Sequence, residues 1–220
     1  MIADGVNNTT SITKVGAGTQ TFSGTNTYTG TTTINAGTLQ IGAAGTLGSG
    51  SYSGAITNNA TFIYSGTSAQ TLSGVISGTG DLVKNTASTL TLSGANTYTG
   101  TTTVNAGTLA LGANQDIGSI AGAGALNLSS HTLTTNASSD TTYSGIISGA
   151  TGALTKNGTG TLTLSGTNTY SGATTVNAGT LAVSGNIANS GLVINSGGII
   201  SPGTTAAVDS FGTSSITING

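Results

Sequence analysis

Apolar and polar residues alternate along most of this chain, in short runs separated by glycine and asparagine. In T-L-T-L at 89–92 the apolar positions are Leu90 and Leu92, and in T-L-A-L at 108–111 they are Leu109 and Leu111. A period of two over such short runs predicts half-buried β-strands. An offset of nineteen residues joins Leu90 to Leu109, Phe22 to Ile41 and Leu164 to Val183. A second strand type lies between these, with Ile34, Val104 and Val176 each 22 residues after Ile12, Leu82 and Leu154. Strands that recur every ~20 residues without an intervening helix predict an all-β fold, a solenoid that stacks one coil per turn.

A longer phrase repeats on top of this period. Copies of T-L-T-L-S-G-x-N-T-Y-x-G begin at Thr19, Thr89 and Thr161, offset by 70 and 72 residues. The looser stretches 43–80 and 113–152 read as further coils, because Phe62 and Tyr64 alternate and Leu126 and Leu128 follow Leu109 and Leu111 by seventeen residues. Ile194 continues the series eighteen residues after Val176. One continuous solenoid is therefore expected over 1–220, with roughly ten to twelve coils and a length of ~50–60 Å at ~4.8 Å per coil. Its core is expected to hold Leu90, Leu92, Val104, Leu109, Leu111, Leu162, Leu164, Val176, Leu181 and Val183. The chain ends in S-I-T-I-N-G without an evident cap, and an uncovered sheet end is a template for association. A piece of a longer polypeptide is the favoured expectation, and end-to-end stacking into an extracellular fibre is the alternative.

Composition narrows the picture. Only 4% of residues are charged and 37 are glycine, with one proline and no cysteine or tryptophan. Aliphatic residues alternating with threonine argue for folding, since disordered chains are usually charged and aliphatic-poor. The first eight residues, M-I-A-D-G-V-N-N, have neither the basic region nor the apolar run of a signal peptide. No apolar stretch approaches the ~20 residues of a membrane helix. A net charge of −2 with no arginine lacks the basic footprint of a nucleic-acid-binding protein.

Candidate chemistry is sparse. Lys14, Lys84 and Lys156 occupy one repeat position, as solvated charges at coil corners or as a line of ligand-binding ammonium groups. Asn26, Asn96 and Asn168 in N-T-Y, and Asn35, Asn105 and Asn177 in N-A-G, are expected at corners, where amides can ladder along the axis. With Tyr28, Tyr98 and Tyr170 they could instead line a sugar-contacting row. The five acids, Asp4, Asp81, Asp116, Asp140 and Asp209, are scattered, and only Asp116 and Asp140, with His131 between them, suggest a catalytic group. The expectation is no enzyme, no cofactor and no metal site. Thr27, Thr29, Thr31 and Thr33 fall on one strand face, and threonine arrays can bind ice. A 22-residue register, however, sets Ser11, Asp81 and Ala153 opposite Thr33, Thr103 and Thr175.

The run A-L-T-K-N-G-T-G-T-L-T-L-S-G-T-N-T-Y-S-G-A-T-T-V-N-A-G-T-L-A-V at 153–183 resembles the autotransporter-associated β-strand repeat, also called the passenger-associated transport repeat. Segments 11–42 and 81–112 resemble it too, although the first has T-Q-T-F in place of T-L-T-L. Residues 197–220 are similar to the P-G…G-T-L-T-V phrase that commonly follows such repeats. The resemblance implies a right-handed parallel β-helix in the passenger of a type V secretion protein, exposed on or released from a Gram-negative cell. It implies a structural stalk whose repeats assist export and folding, and a partner outer-membrane β-barrel translocator on the same parent chain. Host or cell-surface ligands would be further partners.

Overall fold

The computed structural model describes residues 1–6, 8–187, 190–202 and 215–219. Threonine and aliphatic residues suit a pleated surface with one buried face, and among the described residues they form 28 strands of two to six residues. A 3-10 turn at Gly48–Gly50 is the one helical element among the described residues. Successive strands do not pair with each other. Most pair in parallel with the strand about twenty residues on, as in Leu90↔Leu109, Leu82↔Thr102 and Leu162↔Leu181.

The result is a parallel β-solenoid of about ten coils with three sides. Ten strands, from Thr19–Phe22 to Gly198–Pro202, make the first side. Six strands, from Ser51–Tyr52 to Ile147–Ser148, make most of the second, and the pair Thr167–Asn168 and Asn186–Ile187 continues it. The third side has four strands from Ile12–Lys14 to Ile76–Ser77 and six from Gln115–Ile117 to Ser215–Ile218. Residues 96–98 bridge these two sheets, since Thr97 N–H donates to Ile76 O and Asp116 N–H donates to Asn96 O.

Coil length is not constant. Thr101 pairs with Ser119, eighteen residues on, whereas Thr38 pairs with Thr61, twenty-three residues on. The sequence copies therefore do not stand above one another. The lysine strand lies on the third side in the first and third copies (Ile12–Lys14, Ala153–Lys156) and on the first side in the second copy (Asp81–Lys84). A single core runs through all of them, because every side turns its alternate residues inward. All ten residues expected in the core are buried.

One offset needs correcting. The 22-residue spacing from Leu82 to Val104 is a register two residues too long, since Leu82 pairs with Thr102 and Lys84 pairs with Val104. A slip of two keeps every side chain on its original face, so the alternation could not reveal it. The inward file on the first side reads Phe22, Ile41, Tyr64, Lys84, Val104. A lysine thus occupies one layer of an otherwise apolar stack.

Candidate functional site

The lysine of each copy and the asparagine and tyrosine of each N-T-Y point inward and are satisfied inside. Lys14, Lys84 and Lys156 are 9%, 0% and 3% exposed, so neither the solvated corner charge nor the line of ligand-binding ammonium groups holds. Lysine is seldom buried this far unless it is paired. Here the partners are backbone carbonyls at two successive corners. Lys14 Nζ donates to Val15 O (2.9 Å), Gly16 O (2.6 Å) and, one coil on, Ala36 O (3.1 Å). Lys84 Nζ donates to Thr86 O and to Ala106 O (3.3 Å), and Lys156 Nζ to Gly158 O and Ala178 O (3.1 Å).

The distal acceptor is in each case the alanine of N-A-G. The same corner is tied to the same lysine through the main chain, because Asn35, Asn105 and Asn177 donate their N–H groups to Lys14 O, Lys84 O and Lys156 O (2.9, 2.8 and 2.8 Å). Gly107, next in that corner, has φ +70°, and a Cβ there would meet Thr86 O at 2.3 Å. Only glycine fits such a left-handed, crowded position without strain. Lys84 also lies 5.7 Å from the centroid of the Tyr64 ring, within cation–π range. Burial pulls the Lys84 and Lys156 amines below their ordinary pKa, and for Lys156 the Asp140 carboxylate works the other way.

The N-T-Y residues are interior as well, which overturns both the corner and the sugar-contacting expectations. Asn26, Asn96 and Asn168 are buried, and each amide bridges the coils on either side. Asn96 Oδ1 accepts from Ile76 N–H (2.6 Å) while its Nδ2 donates to Gln115 Oε1 (2.7 Å). Asn168 Oδ1 likewise accepts from Ile147 N–H (2.9 Å), and its Nδ2 donates to Asn186 O (2.7 Å). Tyr28, Tyr98 and Tyr170 are fully buried, with hydroxyls 2.8, 2.5 and 2.6 Å from Oγ1 of Thr32, Thr102 and Thr174. Desolvation raises the pKa of all three phenols.

Outside, two of the three N-A-G asparagines join amide contacts along the axis: Asn105 Nδ2 donates to Asn85 Oδ1 (2.7 Å), and Asn177 stands in a longer ladder. Nδ2 of Asn219 donates to Asn195, Asn195 to Asn177, Asn177 to Asn157 and Asn157 to Asn136, at 2.6 to 3.2 Å, and Asn136 donates to Asp116. Beside it, on the third side, Thr13, Thr33, Thr57 and Ser77 stand in register, and Thr134, Thr155 and Thr175 repeat the pattern beyond Asp116. The true neighbours of Thr33 are thus Thr13 and Thr57, not Ser11. The file beside theirs does not repeat threonine, since Thr31 stands between Ser11 and Ala55 and Thr132 is followed by Ala153 and Ala173, so a lattice of water would meet a second threonine in only some coils.

The acids serve the backbone. Asp81 and Asp140 accept the N–H groups of Thr101 and Thr161 in the next coil (2.8 and 2.7 Å). Asp4 accepts from Thr10 N–H and Thr29 N–H, and the Thr10 bond leads in holding its carboxyl below the usual range. Asp209 lies outside the described residues. Asp116 and Asp140 are engaged separately, and no hydrogen bond links His131 to either of them among the described residues. No cluster of three or more metal-ligating side chains occurs among them.

An inward lysine, asparagine and tyrosine recur with an N-A-G corner at matching positions in three stretches. Residues 12–41, 82–111 and 154–183 each match the family model of the passenger-associated-transport-repeat. The chain carries three passenger-associated-transport-repeats. The bounds agree to within a residue with those read from the sequence. No curated protein and no solved structure matches the chain. In this chain each matched stretch has two successive corners joined by a buried lysine, an asparagine that bridges to the coils on either side, and a tyrosine–threonine pair within one coil. Sequence reasoning found the repeat but placed its polar residues outside. The signal that could have corrected it was the parity of D-L-V-K, where Leu82 and Lys84 must share a face.

Proposed function

We propose that this chain is a structural stretch of an autotransporter passenger, a stalk that carries other parts away from the cell and whose repeats help the exported chain to fold. The observation that supports this reading is the incorporation of all three repeats into one unbroken ten-stranded side. Parallel pairing of each coil to the next gives a shaft whose length follows from coil count, roughly 45–50 Å for ten coils. No helix among the described residues is long and apolar enough to cross a membrane. On this reading the membrane partner is an outer-membrane β-barrel translocator on the same parent chain, and the passenger is displayed on, or released from, a Gram-negative surface. The role is non-catalytic.

The test is a display assay. The 220 residues, with an N-terminal epitope tag, are placed between a secretion signal and the translocator of a Gram-negative autotransporter. Antibody binding to intact cells should reveal the tag, and deletion of 154–183 should lower surface signal relative to total protein. Equal surface signal with and without that repeat would overturn a role in export.

A further inference from the structure

The three buried ammonium groups have a dependence that the apolar core lacks. A leucine in the inward file gains from any neighbour that excludes water. An ammonium must instead be met by enough oxygen atoms, since charge in a low-dielectric interior is costly unless paired. The corner just after each lysine supplies part of the set: Val15 O and Gly16 O for Lys14, Thr86 O for Lys84 and Gly158 O for Lys156. The remaining acceptor, Ala36 O, Ala106 O or Ala178 O, lies 22 residues on, in the following coil. That coil is held to the lysine's own carbonyl by the N–H of Asn35, Asn105 or Asn177. Main-chain docking and completion of the ammonium cage are therefore one event. Without it the side chain turns to water and leaves a gap in the file, as beneath Val104.

We propose that each repeat opens and closes as a two-coil unit latched by its lysine, so that the shaft comes apart at three separate latches instead of as a single body. A solenoid permits this, because each coil touches only its neighbours and cooperativity extends only as far as the couplings between them. The coils at 43–80 and 113–152 contain no lysine and join neighbouring repeats without this coupling. The inference concerns the folded chain itself and stands whether or not the protein is exported.

The chain offers a direct readout, for its amines are the three lysines and the N-terminus. The intact protein is pulsed with an acetylating reagent across a urea series, and acetylation at each amine is followed by peptide mass spectrometry. In native buffer the N-terminal amine should react at once, while the lysines should be protected about 100-fold or more relative to the unfolded chain. Across urea the three lysines should lose protection at distinct midpoints. Labelling of Lys84 and Lys156 in native buffer at the unfolded rate would overturn the latch. Coincident midpoints for all three would overturn the independent units. Lys84→Met keeps the stem but not the ammonium, and tests the coupling separately. It should raise hydrogen exchange over 101–111 about tenfold or more and leave Lys14 and Lys156 as protected as before. Unchanged exchange over 101–111, or loss of protection at the two distant lysines, would refute the proposal.

Discussion

Leu109 and Thr108 are adjacent in one strand and face opposite ways. Leu109 is 1% exposed and stacks between Leu90 and Leu126, whereas Thr108 faces outward and is half-buried. Burying one leucine is worth ~2 kcal/mol, and aspartate at the same point would add the cost of an unpaired interior charge. Leu109→Asp should therefore destabilise by about 3 kcal/mol or more, and Thr108→Asp by about 0.5 kcal/mol or less. Urea midpoints for the two variants measure the difference, and equal midpoints would contradict the facing. This contrast was legible in the sequence, because T-L-A-L states which residues share a face. The fate of Lys84 was stated by the same alternation in D-L-V-K, yet the prior that lysine is solvated overrode it. Its acceptors are backbone carbonyls, which carry no letter of their own. The tyrosines of N-T-Y were hidden for a similar reason, since each hydroxyl is matched by a threonine four residues on that reads as one more surface residue in T-T-T or A-T-T.

At the scale of the elements, coils are joined by two kinds of file, inward stacks of apolar residues and outward ladders of amides. Asn157 receives a bond from Asn177 and gives one to Asn136. Asn157→Ala should cut the ladder there and cost about 1 kcal/mol, the usual net worth of exposed hydrogen bonds. Hydrogen exchange at the 157–160 corner should rise while exchange in the strand Thr161–Leu164 stays unchanged. A loss of protection through that strand would show that the ladder, and not the core, holds the coil. The nineteen-residue offset foretold one set of strand pairs correctly. Rotation of the second copy to another side could not be foretold, because it depends on the sum of coil lengths that run from seventeen to twenty-four residues. Those lengths are set by corner geometry in the degenerate stretches, where the phrase gives no anchor.

For the molecule as a whole, all six tyrosines are buried and burial raises the pKa of each phenol. In the unfolded chain they ionise near pH ~10. Above that pH the folded form holds more protons than the unfolded form, so stability falls as pH rises, by at most ~1.4 kcal/mol per tyrosine per pH unit. Lys84 and Lys156 act in the opposite sense below pH ~10.5, because burial makes the folded state release their protons first. Two such groups against six phenols leave a net loss. The urea midpoint should hold from pH 7 to about pH 9 and drop steeply by about pH 11; an unchanged midpoint at the higher pH would mean that the phenols reach solvent. Inward lysines have one more effect. A trypsin-like protease cuts after lysine or arginine, and this chain has three lysines and no arginine. Every tryptic bond in the protein therefore begins at a side chain sealed inside a coil, so the intact shaft gives such an enzyme no residue to grip.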